Sequence, residues 1–375
     1  MTPFTSELGD ASRDSIPTSE ADIPAVRVHV ASDTTTATSS LPPLPNPRLD
    51  PADLAAQEAH PIGRNFGSYK VLAPLGAGGM ARVYLATHAD IGGRFAVKIL
   101  EGHTRNLPEL LMRCLREAQT AAKIQHPNVV KVIHAGRTDD DLVYVVMDLV
   151  EGQTLEALLR QRGPLPWARL GPIALQMCRG LAAAHRNGII HRDIKPSNCI
   201  LDARVEHTDH VKIIDFGIAK PTAKNPDEVV TAEGVILGTP EYMAPEYASG
   251  ELLDIRVDIY ALGVTLYKLL TGKLPITGTS FAGIMYQHVN YRPEPPSFHI
   301  PYLKKSPVVD EIILKALSKR PQDRFSNMRE MADAISQSLI GVPEPARHPL
   351  EAPGHVESEL SYTESTTTVE HSPRA

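Results

Sequence analysis

The chain has 375 residues, 42% of them hydrophobic and 22% charged, with a formal net charge of −6. No apolar run approaches the roughly 18 residues needed to cross a bilayer, and no basic region followed by an apolar block opens the chain, so neither a membrane span nor a secretory leader is expected. Three scattered cysteines, Cys114, Cys178 and Cys199, argue against a disulfide framework and for a reducing, cytoplasmic setting.

The acidity belongs to the ends. Residues 1–60 hold three basic and nine acidic residues, and 341–375 hold two and six. The middle is left mildly basic, too weakly for a nucleic-acid partner, which a clustered basic stripe would mark. Residues 1–60 also contain 14 Ser/Thr and 8 Pro, a composition that cannot bury enough apolar surface to offset chain entropy. We therefore expect tails over 1–65 and 339–375, either passively solvated or carrying phosphoacceptor and docking segments. One packed domain is expected over 66–338.

In chain order, 69–76 reads as a strand entering a glycine turn, and Val83–Ala86 resumes as a second strand. Gly76, Gly78 and Gly79 have no Cβ, so backbone N–H groups there can approach a phosphate closely. A plain glycine hairpin is an equal reading of that stretch alone. Next, Arg94–Leu100 is a strand with Lys98 inside it. A charge in an apolar strand needs a partner or a route to solvent. Residues 108–125 have helical apolar spacing, with Glu117 near the apolar edge and so placed to reach Lys98. Strands over 129–134 and 142–148 complete a five-stranded antiparallel sheet with one helix. Helices are expected over 154–161 and 168–187. Then come His191-Arg192-Asp193-Ile194-Lys195-Pro196-Ser197-Asn198, Asp215-Phe216-Gly217 and Gly238-Thr239-Pro240, with Ala244-Pro245-Glu246 closing the series.

With these pieces in this order, the chain resembles the eukaryotic-type protein kinase family over about 66–338, and its wording is most similar to the bacterial Ser/Thr kinases. The resemblance implies an α+β, bilobal fold: a small lobe over about 66–148 and a larger, mainly helical lobe over about 152–338. It implies transfer of the γ-phosphate of ATP to protein Ser/Thr hydroxyls, with Mg²⁺ as cofactor and Mn²⁺ as a possible substitute. ATP would lie under Leu75, Gly76, Ala77, Gly78, Gly79, Met80, Ala81, Arg82 and Val83. Ala96 and Leu201 would complete the apolar walls, and Asp148 and Val150 would bind adenine at a hinge behind Met147. Lys98, oriented by Glu117, would hold the α- and β-phosphates. Asn198 and Asp215 would hold the metal, since a hard cation prefers oxygen. Asp193 would orient the acceptor hydroxyl, and Lys195 would neutralise the γ-phosphate.

The resemblance also gives His191 a loop-fixing role and Arg192 a role in control by activation-loop phosphorylation, with Thr231 as the phosphoacceptor and Glu233 partly standing in for a second phosphate. Thr239 would contact the catalytic loop, Asp258 would brace it, and Glu246 would pair with Arg324. Ala81 departs from the family by replacing a third glycine. The stretch 203–210 reads as a surface insertion; His207 and His210 alone do not make a metal site. Cys199 is either a small buried residue or a redox sensor. Protein substrates and a transient homodimer for trans-phosphorylation are the implied partners. A pseudokinase-type scaffold and a small-molecule kinase are the competing readings.

Overall fold

The computed structural model describes residues 61–77, 81–100, 108–205, 209–216, 239–249 and 253–340. Gly78, Gly79, Met80, His207, Thr231 and Glu233 lie outside these residues, as do the side chain of Ala77 and the expected tails except for 61–65 and 339–340. Gly63, in the first of those stretches, donates its N–H to the Val71 carbonyl (2.8 Å).

The small lobe is built on β1 (Asn65–Phe66), β2 (Tyr69–Ala77), β3 (Ala81–His88), β4 (Gly92–Leu100), β5 (Val132–Arg137) and β6 (Val143–Asp148). They form one antiparallel sheet in the order β1-β2-β3-β4-β6-β5. The sheet has six strands rather than the expected five, because Asn65 and Phe66 fold back on Tyr69 and Lys70. Phe66 is fully buried and crosses Tyr144 edge-on at 5.5 Å, which fixes that extra strand. Strand β6 is apolar on both faces. Val143, Val145 and Met147 pack on one side with α1 (Pro108–Ala121), through Cys114 and Ala118, while Tyr144 and Val146 pack on the other with Phe66 and Val97. A strand covered on both faces reads as a continuous apolar run, as this one does.

Two elements differ from expectation by more than two residues at an end. The helix ends at Ala121 rather than 125, and the fifth strand spans Val132–Arg137 rather than 129–134. The reason for the second is tertiary. Residues 128–130 pair with the other lobe: Val130 N–H donates to the Ile213 carbonyl (2.9 Å), and Ile213 N–H donates to the Asn128 carbonyl (2.9 Å). Asn128 Nδ2 also donates to the Val211 carbonyl and to Gln176 Oε1, each at 2.9 Å.

The large lobe begins with β7 (Gly152–Thr154), which pairs with β8 (Cys199–Asp202) and, beyond it, β9 (Val211–Ile213). Its helices are α2 (Leu155–Arg162), α3 (Trp167–Arg186), α4 (Glu246–Ser249), α5 (Arg256–Thr271), α6 (Phe281–Asn290), α7 (Pro296–His299), α8 (Pro307–Ala316) and α9 (Met328–Ser338). Thr154 starts α2 by accepting from Ala157 N–H (3.0 Å), and Gly163 ends it with φ 74°. Helix α5 is buried almost all round, which marks it as the centre of this lobe rather than a surface helix. Among the described residues, no helix is long and apolar enough to cross a membrane.

Gly152 lies directly against β8. A Cβ there would overlap the Leu201 carbonyl oxygen and come within 3.2 Å of Ala203 N. Backbone cannot yield as a side-chain tip can. Gly152→Ala is therefore expected to cost about 1–3 kcal/mol, read from the shift in urea midpoint at constant slope.

Candidate active site

The catalytic loop is held by buried polar contacts. Asp258, on the first turn of α5, has 0% exposure. Its Oδ2 accepts from His191 N–H (2.8 Å) and faces His185 Nε2 (2.7 Å), and its Oδ1 accepts from Arg192 N–H (2.8 Å). Burial opposes its charge. The bond from His185 and the nearby His191 outweigh that and hold its carboxyl below the ordinary aspartate range. His191 Nδ1 accepts from Asp193 N–H (3.2 Å), and Nε2 lies 3.0 Å from the Ile214 carbonyl. That pairing requires the proton on Nε2. Burial lowers the His191 pKa against the pull of Asp258 and Asp193, so the ring is a neutral spacer, as its expected role requires.

Asp193, Lys195 and Asn198 converge. Asn198 Nδ2 donates to the Asp193 carbonyl (2.8 Å) and to its carboxylate (3.0 Å). Lys195 Nζ lies 3.2 Å from Asp193 Oδ2 and donates to Thr239 Oγ1 (2.8 Å). The lysine thus joins the catalytic loop to the turn at Pro240–Tyr242. Above it, Lys98 Nζ forms an ion pair with Asp215. Asp215 and Arg192 both have φ 62°, the left-handed region that non-glycine residues avoid, and both flank this centre. Such backbone is retained where the surrounding contacts over-determine it. For Arg192 those contacts are the Asp258 carboxylate and the ion pair described next.

Glu117 does not meet Lys98. It accepts instead from Arg192 Nη1 at 3.2 Å. This corrects the expected orienting pair: two cations, Lys98 and Arg192, are within range of the lower cleft, and Lys98 has taken Asp215 as its carboxylate. Phe216 is buried against His191, with ring centroids 4.7 Å apart. A cavity of about 190 Å³ lies beside it, lined by Arg116, Glu117, Thr120, Ile190 and Arg192 among others.

Ala81, Val83, Ala96, Met147 and Val150 belong to one apolar cluster, and β-pairing sets Val83 opposite Lys98 and Ala96 opposite Met147. Leu201 is buried in the large lobe's core, and Leu75 is half-exposed. Arg82 is exposed, and Asp148 ends β6. Cys199 is fully buried, and burial pushes its thiol up to about 12, which suits packing and not redox sensing. Arg324 pairs with Glu246 as expected, at 2.7 Å through both nitrogens of its fork. Sequence reading missed Lys268, which donates to Glu156 (2.9 Å) and to the Tyr242 hydroxyl (3.2 Å), and it missed His185. Neither lies in a motif.

Residues 69–338 match the family model described as protein kinase domain. The chain belongs to this family. Among curated proteins it is 38% identical over 294 residues to the Ser/Thr protein kinase pkn3 of Myxococcus xanthus, covering 78% of this chain and 53% of that protein. It is 39% identical over 271 residues to PknB of Mycobacterium tuberculosis, covering 71% and 42%. The chain thus spans about half the length of the curated relatives it matches. Among solved structures, a variant of the Mycobacterium tuberculosis PknI kinase domain superposes with a TM-score of 0.60 at 29% identity, over 74% of this chain and 98% of that one. The kinase fold is therefore common to a set of bacterial Ser/Thr kinases and this chain.

Proposed function

We propose that this chain is a protein Ser/Thr kinase that transfers the γ-phosphoryl group of ATP to Ser and Thr hydroxyls. The observation that carries this reading is Lys195, whose ammonium touches both the Asp193 carboxylate and the Thr239 hydroxyl. It ties the group that would orient an acceptor hydroxyl to the turn on which a peptide would lie. That contact favours a protein acceptor over a small molecule, and the filled set of polar positions favours turnover over scaffolding.

In this reading Asp193 accepts the acceptor's O–H and holds its oxygen in line, and Lys195 and Lys98 balance phosphate charge. The glycine turn 76–79 closes over the phosphates, and Asp148 and Val150 meet adenine. Asn198 and Asp215 would hold Mg²⁺, or Mn²⁺ in its place. The Asn198 amide nitrogen is committed to Asp193, which leaves its oxygen as the group suited to a hard cation. Bound there, the cation supplies charge neutralisation on phosphate oxygens. Phosphate on Thr231 would compete with Glu117 for Arg192, and Glu117 would then be released to Lys98. We place this activity in the cytoplasm, with a transient homodimer for trans-phosphorylation.

The test is autophosphorylation of the full chain with Mg-ATP, with sites mapped by mass spectrometry. Phosphate on Thr231 and on acceptor Ser/Thr residues is the expected result. ATP binding without transfer to itself or to any peptide would sink the enzyme reading in favour of a scaffold.

A further inference from the structure

Lys268 stands where the two sides of the acceptor site meet. It belongs to α5, which packs against the turn at Pro240–Tyr242. Its partner Glu156 is on the first turn of α2, which packs against the catalytic-loop turn Pro196–Asn198. The ammonium donates to both oxygens of Glu156, each at 2.9 Å, and to the Tyr242 hydroxyl at 3.2 Å. Three N–H donors thus meet three acceptors. The same nitrogen lies 5.9 Å from the centre of the Tyr242 ring. Burial opposes the charge of Lys268; its bonds to Glu156 and Tyr242 outweigh that and hold its pKa above the ordinary lysine value.

Stability does not account for this pair. The Lys268 and Glu156 side chains are 19% and 36% exposed, and an ion pair this open to water adds little to a fold. What the pair changes is the field beside the acceptor turn. Without Lys268, Glu156 would present an uncompensated carboxylate there, and a basic side chain of an acceptor would be drawn to it. With Lys268 in place, that charge is matched. Arg160, exposed one helical turn beyond Glu156, and Glu241, on the acceptor turn, are opposite in sign and leave the balance to the Lys268–Glu156 pair.

We infer that Lys268 is a specificity-determining residue: by neutralising Glu156 beside the acceptor turn, it keeps that carboxylate from recruiting basic side chains, so the site serves acceptor segments whose flanks carry no positive charge. This rests on the kinase reading above. The chain's own expected acceptor has that character. From Asn225 to Gly238, around Thr231, the sequence holds three acids, Asp227, Glu228 and Glu233, and no Lys or Arg. A site that recruited cations would select against it.

The experiment is kinetics of the full chain with Mg-ATP and threonine-peptide pools in which each flanking position in turn is fixed as Arg, Asp or Ala. Wild type, Lys268→Met, Glu156→Gln and the double variant are compared by the ratio of kcat/KM for Arg over Asp at each position. Wild type is expected to use Asp at least as well as Arg. Lys268→Met leaves Glu156 uncompensated and should raise the ratio about fivefold at one flanking position or more, the effect of one partly screened charge. Glu156→Gln should lower it by a similar factor, and the double variant should return to within about twofold of wild type. A merely structural tie would instead lower the rates for all pools alike. Glu156→Gln, isosteric and partly exposed, carries the test if the methionine variant does not fold. A wild type that favours Arg across the flanks, or single variants whose ratios stay put or move in one direction, would overturn the assignment. A wild-type chain that phosphorylates no pool removes the kinase reading itself, an outcome distinct from an active wild type with unaltered ratios.

Discussion

Asp193→Ala is expected to reduce phosphoryl transfer by about 10²–10⁴-fold while leaving nucleotide affinity nearly unchanged. The asymmetry follows from where the carboxylate sits. Asp193 is bound by Lys195 and by the Asn198 amide, and its backbone N–H is held by His191. Through Lys195 its carboxylate is joined to Thr239 and the turn at Pro240–Tyr242. In the proposed role its work begins only when an acceptor hydroxyl has to be oriented, so its loss is expected to fall on the transfer step. Asp193→Asn separates charge from shape: the amide can hold Asn198 in place but accepts the hydroxyl proton poorly, so it should track alanine in rate. Single-turnover transfer together with calorimetric ATP titration checks this. A parallel loss of ATP binding would instead give Asp193 a role in holding the nucleotide.

Arg324→Leu is expected to destabilise the fold by about 3–5 kcal/mol, the cost of breaking a buried pair from one side. The guanidinium is fully enclosed, and besides Glu246 it donates to the carbonyls of Ser318 (2.8 Å), Arg256 (3.0 Å) and Lys319 (2.9 Å). Leucine removes the bidentate cation from the Glu246 carboxylate, which is itself 4% exposed, and the donor from three carbonyls. For a domain of this size that corresponds to a fall in midpoint of roughly 10 °C. Adding Glu246→Met should recover part of the loss, because the buried charge that has lost its guanidinium goes while the stranded carbonyls stay. Calorimetric midpoints of the wild type, both single variants and the double variant check this. A double variant no more stable than Arg324→Leu would place the whole cost in the carbonyls and none in the ion pair.

What could be read from sequence was what recurs at fixed spacing. Asp193, Lys195 and Asn198 lie within six residues, so their meeting needs one local turn, and a short motif suffices to expect it. Asp258 was legible through the family resemblance, which implies that it braces the catalytic loop. The partner of Glu117 was not legible. Lys98 and Arg192 offer the same charge, and the choice between them depends on where α1 rests against the loop, a distance no spacing encodes. The strand at 129–134 misled for a similar reason: Val129 and Val130 have strand chemistry, but Ile213 recruits them. His288 was half legible. It falls four residues after Ile284 on the inner face of α6, so its burial could have been expected, whereas its 2.8 Å contact with the Tyr260 hydroxyl could not.

The pairing of residues 128–130 with β9 bears on how the molecule opens. The chain crosses between lobes at Leu149–Glu151, and the Asn128–Ile213 contacts join them a second time, well apart in sequence and through backbone bonds. A door hung on one pin can tilt and twist; hung on two, it swings about the line between them. The backbone pairing at Asn128–Val130 thus restrains the small lobe against twisting about Leu149–Glu151, alongside the Glu117–Arg192 and Lys98–Asp215 ion pairs that also join the lobes.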